Sequence, residues 1–172
     1  NSYGAVNYPQ HAYSFARLGI LMYGVRSDEA GWMKTDLDLR PVMTLKARIT
    51  SLRRIGPGET VSYGRTYRAE EPVTIASVAI GYADGFPRAL SGGKLRAIVR
   101  GQYVQGVGRV CMDQLMLDVT GIEGVQGGDE ALLIGKQGAC EINALELAEN
   151  AGTITNDLLS TLSTRIEGRY FV

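Results

Sequence analysis

From Met43 onward the chain alternates. Met43, Leu45, Ala47 and Ile49 take every second position, with Thr44, Lys46, Arg48 and Thr50 between them. Successive side chains of an extended chain point to opposite faces, so this pattern predicts a half-buried strand with a polar outer face. Short β-rich runs follow at 73–80, 95–99, 103–107, 115–119 and 131–134. They are separated by the turn Gly56-Pro57-Gly58 and by Gly101, Gly121 and Gly127-Gly128. Glycine supplies 22 of 172 residues, about twice its usual share, which suits many tight turns. Six or so short strands at this spacing predict a mainly β domain, either a barrel or a strongly coiled sheet.

Two helices are expected after the strands. Asn143-Ala144-Leu145-Glu146 has the form of a capping box, with Leu145, Ala148 and Ala151 on one face. A second short helix starts near Thr155 or Asn156 and turns Leu158, Leu159 and Leu162 inward.

The first forty residues read differently. Polar, loop-like sequence around Tyr3, Asn7, Tyr8 and Pro9 leads into residues 15–24, where Leu18, Ile20, Leu21, Met22 and Tyr23 crowd together between glycines. Such a run suits a fully buried parallel strand, which cannot bury itself alone. Residues 1–38 are therefore expected to be the tail of an α/β domain and 39–172 the β-rich domain. A start at Asn1 rather than methionine is consistent with a truncated front.

Composition narrows the function classes. Eighteen Lys and Arg balance eighteen Asp and Glu, which argues against a nucleic-acid arm or a polybasic membrane patch. No apolar run approaches the roughly 20 residues of a membrane span, and no signal peptide opens the chain, so the chain as given is expected to be soluble. His11 is the only histidine, and Cys111 and Cys140 form no CxxC. A zinc site, or any metal site of that kind, and a histidine-based triad are therefore not expected. The two cysteines are expected to be buried free thiols, with a disulfide as the alternative. Gly106-Val107-Gly108 lacks the third glycine of a dinucleotide fingerprint and is set aside.

Four strings carry chemistry: Pro41-Val42-Met43-Thr44-Leu45-Lys46-Ala47-Arg48, Val61-Ser62-Tyr63-Gly64-Arg65-Thr66-Tyr67, Gly81-Tyr82-Ala83-Asp84-Gly85-Phe86-Pro87-Arg88 and Gly108-Arg109-Val110-Cys111-Met112-Asp113-Gln114. In order, spacing and wording they resemble the alanine racemase family. The resemblance extends to Asn1-Ser2 and to Arg17 through Gly24, so it covers essentially the whole chain.

The resemblance implies a fold-type III pyridoxal-phosphate racemase: the last segment of a (β/α)8 barrel followed by a mainly β C-terminal domain, in a head-to-tail homodimer. It implies that Tyr63 is the catalytic tyrosine offered to the partner subunit's cofactor, since racemisation needs a base on each face of the substrate carbon. Arg17 matches the arginine facing the cofactor's pyridine nitrogen. Ser2, Gly19 and Ile20 match positions that hold its phosphate. Tyr82 and Asp84 resemble residues at the substrate entrance, with Arg88, Arg109 and Asp113 nearby, and Met112 matches a residue whose backbone approaches the substrate carboxylate. The bland readings are a strand tyrosine at Tyr63, a salt-bridged Arg17, turns at Gly19 and Asp84-Gly85, and a core Met112.

Two departures stand out. The family's cofactor-binding lysine is missing: Lys34, Lys46, Lys94 and Lys136 are the lysines here, and none sits in its motif. This chain alone is therefore expected to be inactive. Second, Ile154-Thr155-Asn156-Asp157 puts Asn156 where ordinary alanine racemases carry a tyrosine beside the substrate. Asn156 is smaller and both donates and accepts hydrogen bonds, so it can make room for a hydroxymethyl group. The same replacement marks the VanT-type serine/alanine racemases of vancomycin resistance, in which a membrane domain precedes the racemase. The expected activity is interconversion of L- and D-serine and of L- and D-alanine for peptidoglycan precursors. The alternatives are a plain alanine racemase, with Asn156 simply capping its helix, and a non-catalytic β-barrel dimerisation module.

Overall fold

The computed structural model describes residues 1–11, 14–26, 33–34 and 36–168. The end of the expected β-rich domain, 169–172, lies outside the described residues. Among the described residues nine strands form in chain order: β1 (Leu45–Ile55), β2 (Thr60–Val61), β3 (Tyr67–Arg68), β4 (Val73–Val78), β5 (Arg96–Val99), β6 (Gln102–Val107), β7 (Leu115–Asp118), β8 (Glu130–Gln137) and β9 (Cys140–Ile142). The helices are α1 (Ser2–Asn7), α2 (Ala144–Ala151) and α3 (Thr155–Thr161).

The main sheet runs β1-β4-β7-β6-β5-β8-β9 and closes on itself, because β8 also pairs with β1. Every pairing is antiparallel. Closure depends on β1 serving two neighbours. Its first half pairs with β8 and its second half with β4, with register shifts at Leu45/Lys46 and Ile49/Ser51. Such bulges bend a strand and increase its twist, which an open sheet needs in order to close. Strand β8 bends likewise, leaving the barrel to pair its last residues with β9.

The expected alternation holds, with Leu45, Ala47 and Ile49 buried and the residues between them exposed. The barrel interior gathers Ile49, Val78, Ala97, Val99, Leu115, Leu117 and Leu133, and Leu147, Ala148 and Leu158 from the helices join the same core. Fully burying each large aliphatic side chain contributes about 1.5–3 kcal/mol. A smaller cluster of Ile55, Ala69, Val73, Ile75 and Val107 receives Val61 and Tyr67, and so anchors the base of the β2–β3 hairpin outside the barrel.

Several local expectations are corrected. Residues 15–24 do not form a buried strand: Ile20–Tyr23 is a 3-10 turn, and Phe15 and Met22 are 79% and 69% exposed. A parallel strand needs parallel neighbours, and among the described residues every pairing is antiparallel. In α2, Asn143 caps as expected by accepting from the Glu146 amide at 2.8 Å. The buried face, however, is Ala144, Leu147 and Ala148, while Leu145 is only half-buried. Helix α3 starts at Thr155 with Ile154 as its cap residue, so Asn156 is not a cap. Cys111 and Cys140 are free but half-buried.

Candidate functional site

The VSYG string makes the tip of the β2–β3 hairpin. The chain turns sharply over Tyr63–Arg65, closed by the Arg65 amide donating to the Ser62 carbonyl at 3.0 Å. Gly64 takes a positive φ of 71° that its lack of a Cβ permits. Ser62 takes φ 76°, ψ 161° without that excuse. The tip carries Tyr63 out into solvent, 72% exposed. Tyr67, the hairpin's other aromatic residue, packs at the base. Burial, with the carboxylates of Asp118, Glu70 and Glu71, pushes its phenol above its ordinary value of 10.0. The two tyrosines of one string thus have opposite roles, one packed and one presented.

Facing Tyr63 is the loop between β6 and β7. Ser62, Tyr63 and Gly64 line one side of a cleft of about 520 Å³, and Cys111, Met112, Asp113 and Gln114 line the other. The loop is stitched to the hairpin by Ser62 Oγ, which accepts from the Arg109 amide at 2.7 Å. Arg109 also lies against Gly64, where a Cβ would sit 3.6 Å from its guanidinium. Burial raises the Cys111 thiol pKa above its ordinary 9.0, an effect Arg88 opposes.

The GYADG turn supports the same loop from the opposite side. The amides of Tyr82 and Ala83 donate to the Cys111 and Met112 carbonyls at 3.0 and 2.9 Å. Gly81 makes this approach possible, since a Cβ there would fall 2.3 Å from both carbonyl oxygens. Tyr82 is 41% exposed and Met112 53%, so Met112 is no core residue. Asp84 closes the same turn. Its Oδ2 accepts from the Gly81 amide at 2.9 Å, and its carboxylate sits 3.5 Å from Arg165 Nε. Arg165 also reaches Asp113. Arg165 and Ser62 are the residues that sequence reasoning missed.

The N-terminal candidates come together in part. Ser2 Oγ accepts from the Gly19 amide at 2.9 Å, and Gly19 starts the 3-10 turn that contains Ile20. Serine hydroxyl and backbone N–H groups of this kind fit a phosphate, and a Cβ built on Gly19 meets nothing within 4 Å, so the corner is open. Arg17 is exposed nearby in sequence. Asn156 is exposed on the first turn of α3, next to Thr155, whose hydroxyl donates to the Arg26 carbonyl at 2.8 Å. The helix end bearing Asn156 is thus fastened to the N-terminal segment and not to the Tyr63 cleft. A separate groove of about 550 Å³ lies between that segment and the barrel, lined by Val25, Leu39, Met43, Ile142 and Leu145 among others. It contains none of the expected site residues. Among the described residues no cluster of His, Cys, Asp and Glu could hold a metal, and no helix is long and apolar enough to cross a membrane.

The closed antiparallel barrel that presents an exposed tyrosine turn against a second loop is also the architecture of the C-terminal part of the solved alanine racemase from E. faecalis, which superposes with a TM-score of 0.88 at 34% identity over 96% of this chain and 43% of that one. Residues 42–170 match the family described as alanine racemase, C-terminal domain. The chain is 40% identical over 170 residues to an alanine racemase of Halothermothrix orenii, an alignment covering 99% of this chain and 44% of that protein. It is 39% identical over 166 residues to an amino-acid racemase of Enterococcus faecalis, covering 96% of this chain and 23% of that one. The structure of Bartonella henselae alanine racemase, with covalently bound pyridoxal phosphate, superposes with a TM-score of 0.78 at 30% identity, covering 89% of this chain and 40% of that one. This chain belongs to the alanine racemase family. It spans less than half the length of these relatives.

Proposed function

We propose that this chain is the C-terminal portion, residues 39–172 with a preceding barrel segment 1–38, of a pyridoxal-phosphate-dependent alanine racemase that works as a homodimer. The observation that carries the reading is Tyr63, held out on a strained turn across a cleft from Met112. When bound, pyridoxal phosphate supplies an electron sink that makes the substrate α-proton removable. Racemisation then needs a proton acceptor on one face of that carbon and a donor on the other. Tyr63 serves one face. Its exposure suits a phenol offered in trans to a neighbouring subunit.

Ser2, Gly19 and Ile20 hold the cofactor phosphate through a hydroxyl and backbone N–H groups. Arg17 would offer the pyridine nitrogen a guanidinium, which has hydrogen-bond donors only, so the ring nitrogen would remain an acceptor there. Met112 and Tyr82 border the substrate. The names of the relatives favour alanine as substrate, and the 39% and 40% identities do not separate a broader amino-acid racemase from an alanine racemase.

Asn156 favours a second reading, in which serine is also a substrate. A small amide stands where ordinary family members have a phenol, and Ile154 already fills the cap position, so capping does not account for it.

Full-length enzyme with cofactor should interconvert L- and D-alanine, followed by chiral analysis of the amino acid. The isolated chain, without the cofactor lysine, should not. Turnover by the isolated chain, or none by a full-length protein carrying the lysine motif, would overturn this assignment, the latter leaving a non-catalytic module.

A further inference from the structure

We propose that Ser62 is a positioning residue whose hydroxyl latches the Tyr63 turn to the loop carrying Met112. The proposal rests on the reading of Tyr63 as a proton-transfer group. Ser62 adopts φ 76°, ψ 161°, a backbone region that belongs almost entirely to glycine and persists elsewhere only when its surroundings enforce it. Here the surroundings are identifiable. Ser62 Oγ accepts from the Arg109 amide at 2.7 Å, and the hydroxyl also lies 3.4 Å from the Arg109 carbonyl, to which it can donate. Gly108 clears the space, because a Cβ there would approach Ser62 Cβ to 2.3 Å.

Tyr63 follows directly. The residue is 72% exposed, so contacts to the side chain do little to aim it, and its direction is set by the backbone of the turn. That backbone is fixed on the far side by the Arg65 amide bonding to the Ser62 carbonyl. On the near side it is fixed by the Ser62 hydroxyl, bridging 47 residues of sequence. A free Ser62 would relax to negative φ and swing the phenol away from Met112. The latch therefore converts an exposed tyrosine into one with a defined direction, which is what a group reacting at a single carbon face requires.

The test uses the full-length racemase with its cofactor. Ser62→Ala removes the hydroxyl and keeps a Cβ that disfavours the observed φ. Ser62→Gly removes both, so it remains folded even if the alanine variant does not. Both variants should lower kcat about tenfold or more, the scale of one lost hydrogen bond, with KM within about threefold. In a Tyr63→Phe background the same substitutions should cost almost nothing further, because their effect passes through the phenol. Hydrogen exchange at the Arg109 amide should quicken by about tenfold or more in both variants. Full turnover in Ser62→Gly, additive losses in the double variants, or unchanged Arg109 exchange would each overturn the proposal. If Tyr63→Phe alone kept its turnover, the catalytic reading of Tyr63 would fall and Ser62 would lose its positioning role with it. The exchange measurement would still report separately whether the latch exists.

Discussion

Arg165 Nη2 lies 2.7 Å from Asp113 Oδ1, and its Nε lies 3.5 Å from Asp84 Oδ1. One side chain from beyond α3 therefore bridges the loop that carries Met112 and the turn that carries Tyr82. The same segment is also fixed to that turn by the Ser163 amide donating to the Asp84 carbonyl at 2.9 Å, by the Thr161 hydroxyl donating to the Gly85 carbonyl at 3.3 Å, and by a Gly85–Thr161 approach too close for any Cβ. Because Asp113 is exposed and Arg165 half-exposed, the ion pair should matter to geometry more than to stability. Arg165→Gln in the full-length enzyme should leave the unfolding midpoint nearly unchanged and raise KM by about two- to fivefold. The wild-type KM should drift in the same direction as salt is added. A variant with an unchanged KM in low salt would remove Arg165 from the site.

Gly81 offers a sharper steric test. Its φ is ordinary extended backbone, so only crowding opposes a side chain there. Gly81→Ala places a methyl 2.3 Å from the Cys111 and Met112 carbonyl oxygens, and overpacking of this kind costs about 1–3 kcal/mol. Gly127→Ala is the matched control, since its Cβ would meet nothing nearer than the Thr50 carbonyl at 3.8 Å. Urea unfolding should separate the two variants clearly. Equal midpoints would mean that the GYADG turn does not support the Met112 loop as closely as described.

The barrel was legible because alternation and turn glycines are local signals, and Asn143 announced its helix by the chemistry of its side chain. The strand expected over 15–24 failed for the opposite reason. An apolar run is compatible with a buried parallel strand, but the neighbours that would make it one are not supplied by the described residues. In α2, Leu145 and Leu147 lie two residues apart on nearly opposite sides of the helix, and only the barrel's packing decides which is buried. Cys140–Ile142 was too short to stand out, and it pairs only with the bent end of β8. Tyr63, Tyr82 and Met112 stand in recognisable strings, and the fold brings Tyr63 and Met112 to one cleft. Ser62 and Arg165 were not, because their importance lies in partners 47, 52 and 81 residues away in sequence, and a serine gives no sign that its φ will be positive.

Tyr63 should act across the dimer. Tyr63→Phe in the full-length enzyme should load cofactor normally and lose racemisation by about 10²–10⁴-fold, the range for removing a positioned proton-transfer group. Proton abstraction from the L-isomer should suffer more than exchange from the D-isomer, read by solvent deuterium uptake into each enantiomer. Mixing this variant with one that lacks the family's cofactor lysine should restore part of the activity, since each hybrid dimer then contains one intact composite site. Well-exchanged hybrids that stay inactive would place both groups in the same subunit's site.

Substrate choice should turn on Asn156. If this position borders the substrate, as the family resemblance implies, a phenol here would fill the space beyond the substrate methyl and serine's hydroxyl would be buried without a good partner. An unpaired buried hydroxyl costs about 1–3 kcal/mol, which corresponds to roughly a tenfold to hundredfold discrimination. On the serine reading, Asn156 would shorten that wall and offer an amide that both donates and accepts. Because Ile154 holds the cap position of α3 and Asn156 is exposed on the helix's first turn, its replacement should leave the helix start in place. Asn156→Tyr in the full-length enzyme should therefore lower kcat/KM for L-serine by about ten- to a hundredfold, with L-alanine similar or improved and thermal stability little changed. Both substrates measured on both variants give the ratio that decides the matter. A serine-to-alanine ratio that moves by less than about twofold, smaller than one hydrogen bond provides, removes Asn156 from the pocket and takes away the support for the serine reading.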